Sequence, residues 1–216
     1  ELTNLTYLYL YEANIKNIDG LENLDKLETL NLCENAIDDV SPIANLTNLT
    51  YLNVGKNNIN NISELSGLTN LEHLNIEDNN ISDINFLKKL TNLKSLNFCQ
   101  NSVEDISAVG ELINLSSLRM GENKISDINI LRNLNNLETL RIEGNNINDL
   151  GALPAITTLK DLSVSSKSNS IMGTGESQIV FGSNPLNEES FKIIGQLNGL
   201  EKLYLQDSSV SNLDFV

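Results

Sequence analysis

The sequence predicts an α/β repeat fold: a right-handed solenoid with a parallel β-sheet on its concave face and 3₁₀ or short helical returns on its convex face. The first supporting observation is a 22-residue period that runs through most of the 216 residues. The second is an alternation of apolar and polar residues at the same place in every unit, typical of a strand with one buried face. Eight units open with leucine or isoleucine, at Leu2, Leu24, Leu46, Leu68, Leu90, Leu112, Leu134 and Ile156.

Each unit, numbered 1 to 22, repeats its apolar residues at fixed positions. Positions 4 and 7 are leucine in all eight units, and position 9 is always apolar. Apolar residues return at positions 14, 17 and 20, as in Ile81, Ile84 and Leu87. A spacing of three matches 3₁₀ geometry better than the 3.6-residue period of an α-helix. These features together predict a leucine-rich repeat solenoid, in which each unit buries its apolar face against its neighbours.

Two polar columns accompany the apolar ones, and both are predicted to be structural. A polar side chain between apolar positions must be hydrogen bonded, so position 12 should form a ladder between successive coils. Position 12 is asparagine at Asn35, Asn57, Asn79, Asn101, Asn123 and Asn145. Position 16 is expected to form turn hydrogen bonds, and its aspartates are Asp39, Asp83, Asp105, Asp127 and Asp149. One carboxylate per coil is too sparse for the about six to eight oxygen ligands of calcium, so no metal site is predicted.

The period breaks after Val164, which divides the chain into three predicted parts. We expect residues 1–216 to form a single leucine-rich repeat domain. Regular 22-residue repeats cover 2–165, an irregular repeat or insertion covers 166–196, and a final repeat covers 197–216.

Within the irregular part, Ile179 to Phe181 restores the strand pattern and favours a ninth strand. Asn184 would then cap a helix that begins at about Pro185. The inner stripe of this helix would be Phe191, Ile194 and Leu197. The alternative is that 166–190 forms a projecting loop.

The composition excludes several classes of partner. The chain has 29 acidic and 14 basic residues, a formal net charge of −15 and a pI near 4.3. A nucleic-acid partner would need a basic stripe, and an anionic membrane surface would repel the chain. The apolar stretches are only a few residues long, so no segment is predicted to enter a membrane.

The two cysteines are predicted to be free thiols. Cys33 and Cys99 occupy the same repeat position three units apart, which corresponds to roughly 14 Å at the usual strand spacing. That separation exceeds the ~7 Å between Cα atoms that a disulfide can span.

The ends of the chain indicate a segment of something longer. Glu1 lies directly before a repeat start, Val216 ends within a repeat, and neither end has a visible polar cap. We expect this segment to be monomeric.

Positions 6, 8 and 10 point away from the core and form the surface on which a partner would bind. All five tyrosines lie at these positions: Tyr7, Tyr9, Tyr11, Tyr51 and Tyr204. Tyrosine is enriched at binding hot spots, so this placement predicts a protein ligand on the concave face. The alternative explanation is β propensity, since tyrosine favours strands on any exposed face.

Position 8 also carries two arginines in adjacent units. Arg119 and Arg141 are stacked one coil apart beside Glu143. They would repel each other unless Glu143 or an acidic group of a ligand lies between them, so they are the predicted contacts for an acidic ligand. The single histidine, His73, is interpreted as an ordinary strand residue.

No pattern in the sequence predicts catalysis. It contains no glycine-rich phosphate loop, no nucleophile–histidine–acid arrangement and no Cys/His cluster with metal-ligand spacing. We therefore predict a non-catalytic binding protein without a cofactor.

The repeats resemble bacterial internalin-type leucine-rich repeats over residues 2–165, with a weaker tail to 216. The resemblance rests on asparagine at position 12, the phrase Ile-x-Asp-Ile at positions 14 to 17, and segments such as Ser-Pro-Ile at 41–43. It implies a bacterial surface or secreted protein that binds another protein through its concave face.

Two alternatives remain at this point. Protein-phosphatase regulatory subunits share the period, and Ile-Asp-Gly-Leu at 18–21 is similar to their repeats. They would imply a cytoplasmic regulatory or scaffold subunit. The other alternative is a structural spacer that has no ligand of its own.

Overall fold

The computed structural model describes residues 2–165, 184–206 and 214–215. The described residues form nine parallel strands in one open sheet, arranged in sequence order. The predicted right-handed leucine-rich repeat solenoid is therefore confirmed, with the sheet on one face and short 3₁₀ helices on the other. The strands are β1 (Tyr7–Tyr9), β2 (Thr29–Asn31), β3 (Tyr51–Asn53), β4 (His73–Asn75), β5 (Ser95–Asn97), β6 (Ser117–Arg119), β7 (Thr139–Arg141), β8 (Asp161–Ser163) and β9 (Lys202–Tyr204).

The position-7 leucines form a continuous column in the core. Leu8 pairs in register with Leu30, and Leu30 pairs with Leu52, so equivalent residues of successive repeats stack directly. Leu30 and Leu52 are fully buried, whereas Leu8 in the first strand is only partly buried. Each interior repeat thus obtains its core from both neighbours, as expected of a solenoid.

The returns are 3₁₀ helices, as the three-residue spacing predicts. The predicted turn hydrogen bonds of position 16 place several of them. For example, Asp105 Oδ1 accepts from Ser107 N at 2.8 Å, and a 3₁₀ helix begins at Ser107. Hydrogen bonds from Ser107 hold the pKa of Asp105 below its usual value. The 3₁₀ helices are Leu21–Asn23, Ser41–Ile43, Ser63–Gly67, Asn85–Lys89, Ser107–Glu111, Asn129–Asn133 and Leu153–Ala155.

The predicted asparagine ladder joins successive coils. Asn145, which is fully buried, accepts a hydrogen bond from Ile125 N in the preceding repeat at 3.0 Å. Its amide nitrogen donates to Met120 O in that repeat at 2.9 Å and to Ile142 O in its own repeat at 3.1 Å. The same pattern recurs at Asn35, Asn57, Asn79, Asn101 and Asn123.

Asn184 continues this ladder after the break in the period. Its Oδ1 accepts from Ile147 N at 3.1 Å, and its amide donates to Ile142 O at 2.7 Å. These bonds span 37 and 42 residues of sequence, whereas the equivalent bonds of Asn145 span 20 and 25. Both separations are longer by 17 residues. Repeat eight therefore contains a 17-residue insertion, and Asn184 takes the place that Lys167 holds in the sequence period.

Among the described residues, no strand lies between β8 and β9, the strand of the final repeat. β8 pairs directly with β9, and Asp161 lies opposite Lys202. In the ladder, Asn184 occupies position 12 of repeat eight. Ile179 to Phe181, where the strand was predicted, lie outside the described residues.

A true α-helix, α1 (Glu188–Ile194), replaces the 3₁₀ return in repeat eight. Its N-cap is Asn187, whose side chain accepts from Ser190 N at 3.0 Å in a capping box, so the prediction that Asn184 caps it is wrong. Thirteen residues separate Asn184 from Leu197, against eleven from Asn145 to Ile156. Because an α-helix rises less per residue than a 3₁₀ helix, the longer return is accommodated as α-helix. On the inner side, Ile194 is buried, while Phe191 and Leu197 are partly buried.

Replacing Asn145 with alanine should destabilise the fold by about 1–3 kcal/mol or more, because Ile125 N and Met120 O would be left buried without a partner. The matched control is Asn146→Ala, since Asn146 is adjacent and exposed. Denaturant unfolding measures both. Equal midpoints for the two variants would contradict the structural role of the ladder.

Deleting residues 167–183 removes 17 residues and places Asn184 directly after Ser166. The ladder then recovers its usual spacing, so we expect a cooperative melting transition within about 4 °C of the unmodified chain. A control deletion of equal length, 170–186, removes Asn184 and Leu186 and should lower the melting temperature clearly. If the first deletion is as damaging as the second, the register of repeat eight is incorrect.

Candidate functional site

The candidate site is the exposed side of the sheet, formed by positions 6, 8 and 10 of the repeats, which we call the sheet face. Its centre is built from a second asparagine column that the sequence analysis did not recognise as structural. Asn53 Oδ1, for example, accepts from Gly55 N at 3.0 Å. The same turn bond is made by Asn31, Asn75 and Asn97. The column could have been recognised in the sequence, because position 8 is asparagine in four successive repeats.

One rim of the sheet face is set by left-handed backbone at position 11. Six non-glycine residues there have φ between 49° and 58°: Glu12, Glu34, Lys56, Asp78, Gln100 and Glu122. Such residues rarely adopt positive φ, and no local sequence pattern identifies this column. Four of these residues, Lys56, Asp78, Gln100 and Glu122, line one depression of the surface.

Three of the predicted tyrosines lie together at β1 and immediately after it. Tyr7, Tyr9 and Tyr11 are 58%, 56% and 59% exposed, respectively. They are among the most exposed large apolar side chains of the described residues. Among the described strands, theirs pairs with β2.

Tyr51 lies apart from the first three tyrosines and contacts the histidine. Thr29 separates Tyr7 from Tyr51 in the strand register. The rings of Tyr51 and His73 are 6.3 Å apart between centroids, with a tilt of 42°. His73 is therefore an aromatic neighbour of a predicted site residue, a contact that the sequence analysis did not predict.

Arg141 is balanced by groups of the chain itself. Its guanidinium lies 3.1 Å from Asp161 Oδ1 in an ion pair, and donates a hydrogen bond to Asp161 Oδ2 at 3.4 Å. The ring of Tyr204 stacks on it, with the guanidinium carbon 4.5 Å from the ring centroid. The partner of Arg141 is thus Asp161, which the sequence analysis missed, rather than Glu143. The sequence does contain a clue to this pair, because Asp161 is an acidic residue at position 6 of the repeat after Arg141.

Arg119, on the neighbouring strand β6, differs from Arg141 in its exposure and its contacts. It lies opposite Arg141 in the register, but its side chain is exposed. Within the described part of the chain, that side chain makes neither a hydrogen bond nor an ion pair. The two arginines look equivalent in the sequence, yet only Arg141 has an ion-pair partner among the described residues.

Glu143 lines a depression of about 380 Å³ beside the arginines, together with Glu77, Asp78 and Glu122. Its side chain packs over Gly121, where an added Cβ would lie only 3.0 Å from Glu143 Cγ. Burial raises the pKa of Glu143. Its buried Oε2 has no hydrogen-bond partner among the described residues. Gly121 is therefore required for the position of this carboxylate.

Cys33 and Cys99 also lie at position 10, and both are free thiols as predicted. Burial raises the pKa of each thiol, so neither is activated as a nucleophile. Among residues 2–165, 184–206 and 214–215, no group of three or more metal-ligating side chains is assembled. Nor does that part of the chain contain a helix with the length and apolar character needed to cross a bilayer.

The fold and its repeated surface define a class of protein. The family described as Leucine Rich repeats (2 copies) matches residues 3–45, 69–111 and 113–155, and the description Leucine rich repeat matches residues 25–81. The chain belongs to the leucine-rich repeat family. Proteins of this family are typically protein-interaction modules.

Two solved structures of bacterial proteins are similar to this chain. Internalin C2 from Listeria monocytogenes is 27% identical with a TM-score of 0.78, over 95% of this chain and 82% of that one. This confirms the predicted likeness to internalin-type repeats. A leucine-rich repeat protein of Leptospira interrogans is 26% identical with a TM-score of 0.71, over 88% of this chain and 45% of that one.

Plant receptors share the fold alone. The Arabidopsis receptor kinase HAESA, solved with a peptide hormone and a co-receptor, is 20% identical with a TM-score of 0.73. The match covers 98% of this chain and 37% of that one. A comparison with curated protein sequences gives no match.

Replacing Glu143 with glutamine should stabilise the fold at neutral pH. Because its pKa is raised in the folded state, ionisation of Glu143 costs stability as pH rises through that pKa. The gain in melting temperature should be roughly 2 °C or more at pH 7 and should shrink towards pH 4. Glu111→Gln, at an exposed position, is the control. A gain that does not depend on pH would contradict this account.

Proposed function

We propose that this chain is a non-catalytic module that binds a protein partner through its sheet face, with Tyr7, Tyr9 and Tyr11 as the main contact. The observation that carries the proposal is the exposure of all three rings at one end of the sheet. Tyrosine offers apolar area and a hydroxyl, and it loses little side-chain entropy on binding. Three such residues on a surface otherwise rich in small polar side chains favour recognition of a protein.

The backbone beneath these residues supports binding without rearrangement. The strands are in register from β1 to β9, and the asparagine ladder fixes each turn to its neighbours. A partner would therefore meet side chains whose backbone is already ordered, which lowers the entropic cost of association.

The other predicted residues would form a second contact region along the same face. Arg141 and Tyr204 are held against each other, so they present one preorganised surface. Arg119 is exposed beside them, and Glu143 lies at the edge of the adjacent depression. Tyr51 lies between this region and the first three tyrosines. Together they extend the proposed interface over most of the sheet.

The proposed setting is the surface of a bacterial cell or the medium outside it. The likeness to internalin C2 of Listeria monocytogenes supports this setting. Fractionation of the source cells, followed by immunodetection of the chain, tests it. Recovery in the cytoplasm would favour the regulatory or scaffold subunit instead.

The binding proposal is tested by alanine substitution after a partner has been captured with the 216-residue chain. Tyr9→Ala and Tyr11→Ala should each weaken the measured affinity by about 2 kcal/mol, which is roughly 30-fold. Tyr9→Phe should keep most of the affinity, because the ring supplies most of the contact area.

Two controls lie away from the sheet face. Ile113→Ala removes an apolar side chain that is 57% exposed, nearly the same as Tyr9. Lys88→Ala removes an exposed charge from a 3₁₀ return. Both should leave the affinity nearly unchanged. A partner that tolerates the tyrosine substitutions and is lost with Lys88→Ala would place the functional surface on the opposite side.

A further inference from the structure

A shallow groove on the sheet face contains no carboxylate. It has a volume of about 210 Å³ and runs across the strands from β3 to β6. Eight residues line it, and none of them is aspartate or glutamate. We call it the Arg119 groove; the residues used below are Tyr51, His73, Ser95, Asn97, Ser117 and Arg119.

The absence of carboxylates is unusual for this chain, which has 29 acidic residues and a net charge of −15. The adjoining depression shares Asn97 and Arg119 with the groove, yet it is lined by four carboxylates. Arg119 thus lies at the boundary between an acidic surface and one without acids. An anion would meet the least repulsion on the groove side.

The acids that flank the groove are already engaged. Glu72, next to His73, pairs with Lys94 at 2.7 Å. Glu77 accepts a hydrogen bond from Asn97 at the other side. Neither carboxylate forms an ion pair or a hydrogen bond with Arg119.

The groove also offers unused donors. The guanidinium of Arg119 has five N–H donors, and none of them is bonded to another part of the described chain. The hydroxyls of Ser95 and Ser117 line the same groove and likewise have no hydrogen bond within the described residues. Arg141 does not compete for an incoming anion, because Asp161 and Tyr204 hold it.

We propose that the Arg119 groove binds an acidic segment of the protein partner, with one carboxylate paired to the Arg119 guanidinium. This inference rests on the proposed function and names the chemistry of the partner at that face. Three strand spacings separate Tyr51 from Arg119, roughly 14 Å, which is about four residues of extended peptide. A segment with an aromatic residue about four positions from an acidic one therefore reaches both ends of the groove.

The probe is a capped eight-residue peptide with one tyrosine four positions from a pair of glutamates. It is titrated into the ¹⁵N-labelled 216-residue chain and followed by chemical shifts, including the side-chain Nε–H of Arg119. Shifts should concentrate at Ser95, Ser117 and Arg119. The matched glutamine peptide should bind about fivefold more weakly, the size of one exposed ion pair, and the lysine peptide more weakly still.

Two pairs of variants locate the effect. Arg119→Gln should make the glutamate and glutamine peptides bind equally, whereas Arg132→Gln, which removes the same charge from a 3₁₀ return, should keep the preference. Ser117→Glu supplies an internal carboxylate beside Arg119 and should also abolish the preference. Ser126→Glu, at an exposed residue of the same repeat, should not.

Several results would overturn the inference. Equal binding of the glutamate and glutamine peptides to the unmodified chain is one, and an equal loss of preference in Arg119→Gln and Arg132→Gln is another. If the peptide preference is absent while the tyrosine variants still lose the captured partner, the groove inference fails and the proposed function stands. If the preference is present and the tyrosine variants keep the partner, the tyrosine contact fails and the groove stands.

Discussion

The whole structure depends on the side-chain amide at position 12. One asparagine satisfies a backbone N–H of the preceding coil and carbonyls of both coils, as Asn145 does with Ile125, Met120 and Ile142. No other neutral side chain of this size offers two donors and an acceptor at once, apart from the longer glutamine. Because the same bonds recur from Asn35 to Asn145 and again at Asn184, the ladder keeps the strands in register and the tyrosines and arginines in columns. The backbone of the sheet face is ordered along its length because the turns are fixed to one another.

Most of the fold could be predicted from the sequence because each repeat meets only its neighbours. The columns of leucine, the asparagine ladder and the turn aspartates are local patterns that recur with one period. The prediction failed where the contact was not periodic. Asn184 was interpreted as a helix cap, because a short sequence window cannot show that its amide reaches Ile142 across the insertion.

The candidate site was predictable in its residues but not in their roles. Outward positions follow from strand alternation, so Tyr7 and Arg119 could be assigned to the sheet face. Which arginine is free depends on a diagonal contact between repeats, and Asp161 decides it by pairing with Arg141. Burial against Gly121 likewise raises the pKa of Glu143, and nothing in the sequence around Glu143 indicates this. Side-chain packing between coils, rather than the repeat itself, determines which side chains on the sheet face are paired and which have a shifted pKa.

The insertion in repeat eight shows how such a solenoid separates its scaffold from its surface. Seventeen residues enter between Ser165 and Asn184, yet Asn184 bonds to the same carbonyl that an uninterrupted repeat would use. The strands on either side still pair. The additional residues thus leave the ladder bonds and the strand pairing of the flanking repeats in place. In evolutionary terms, one repeat can gain residues at this point of its sequence while every other repeat keeps its inherited contacts.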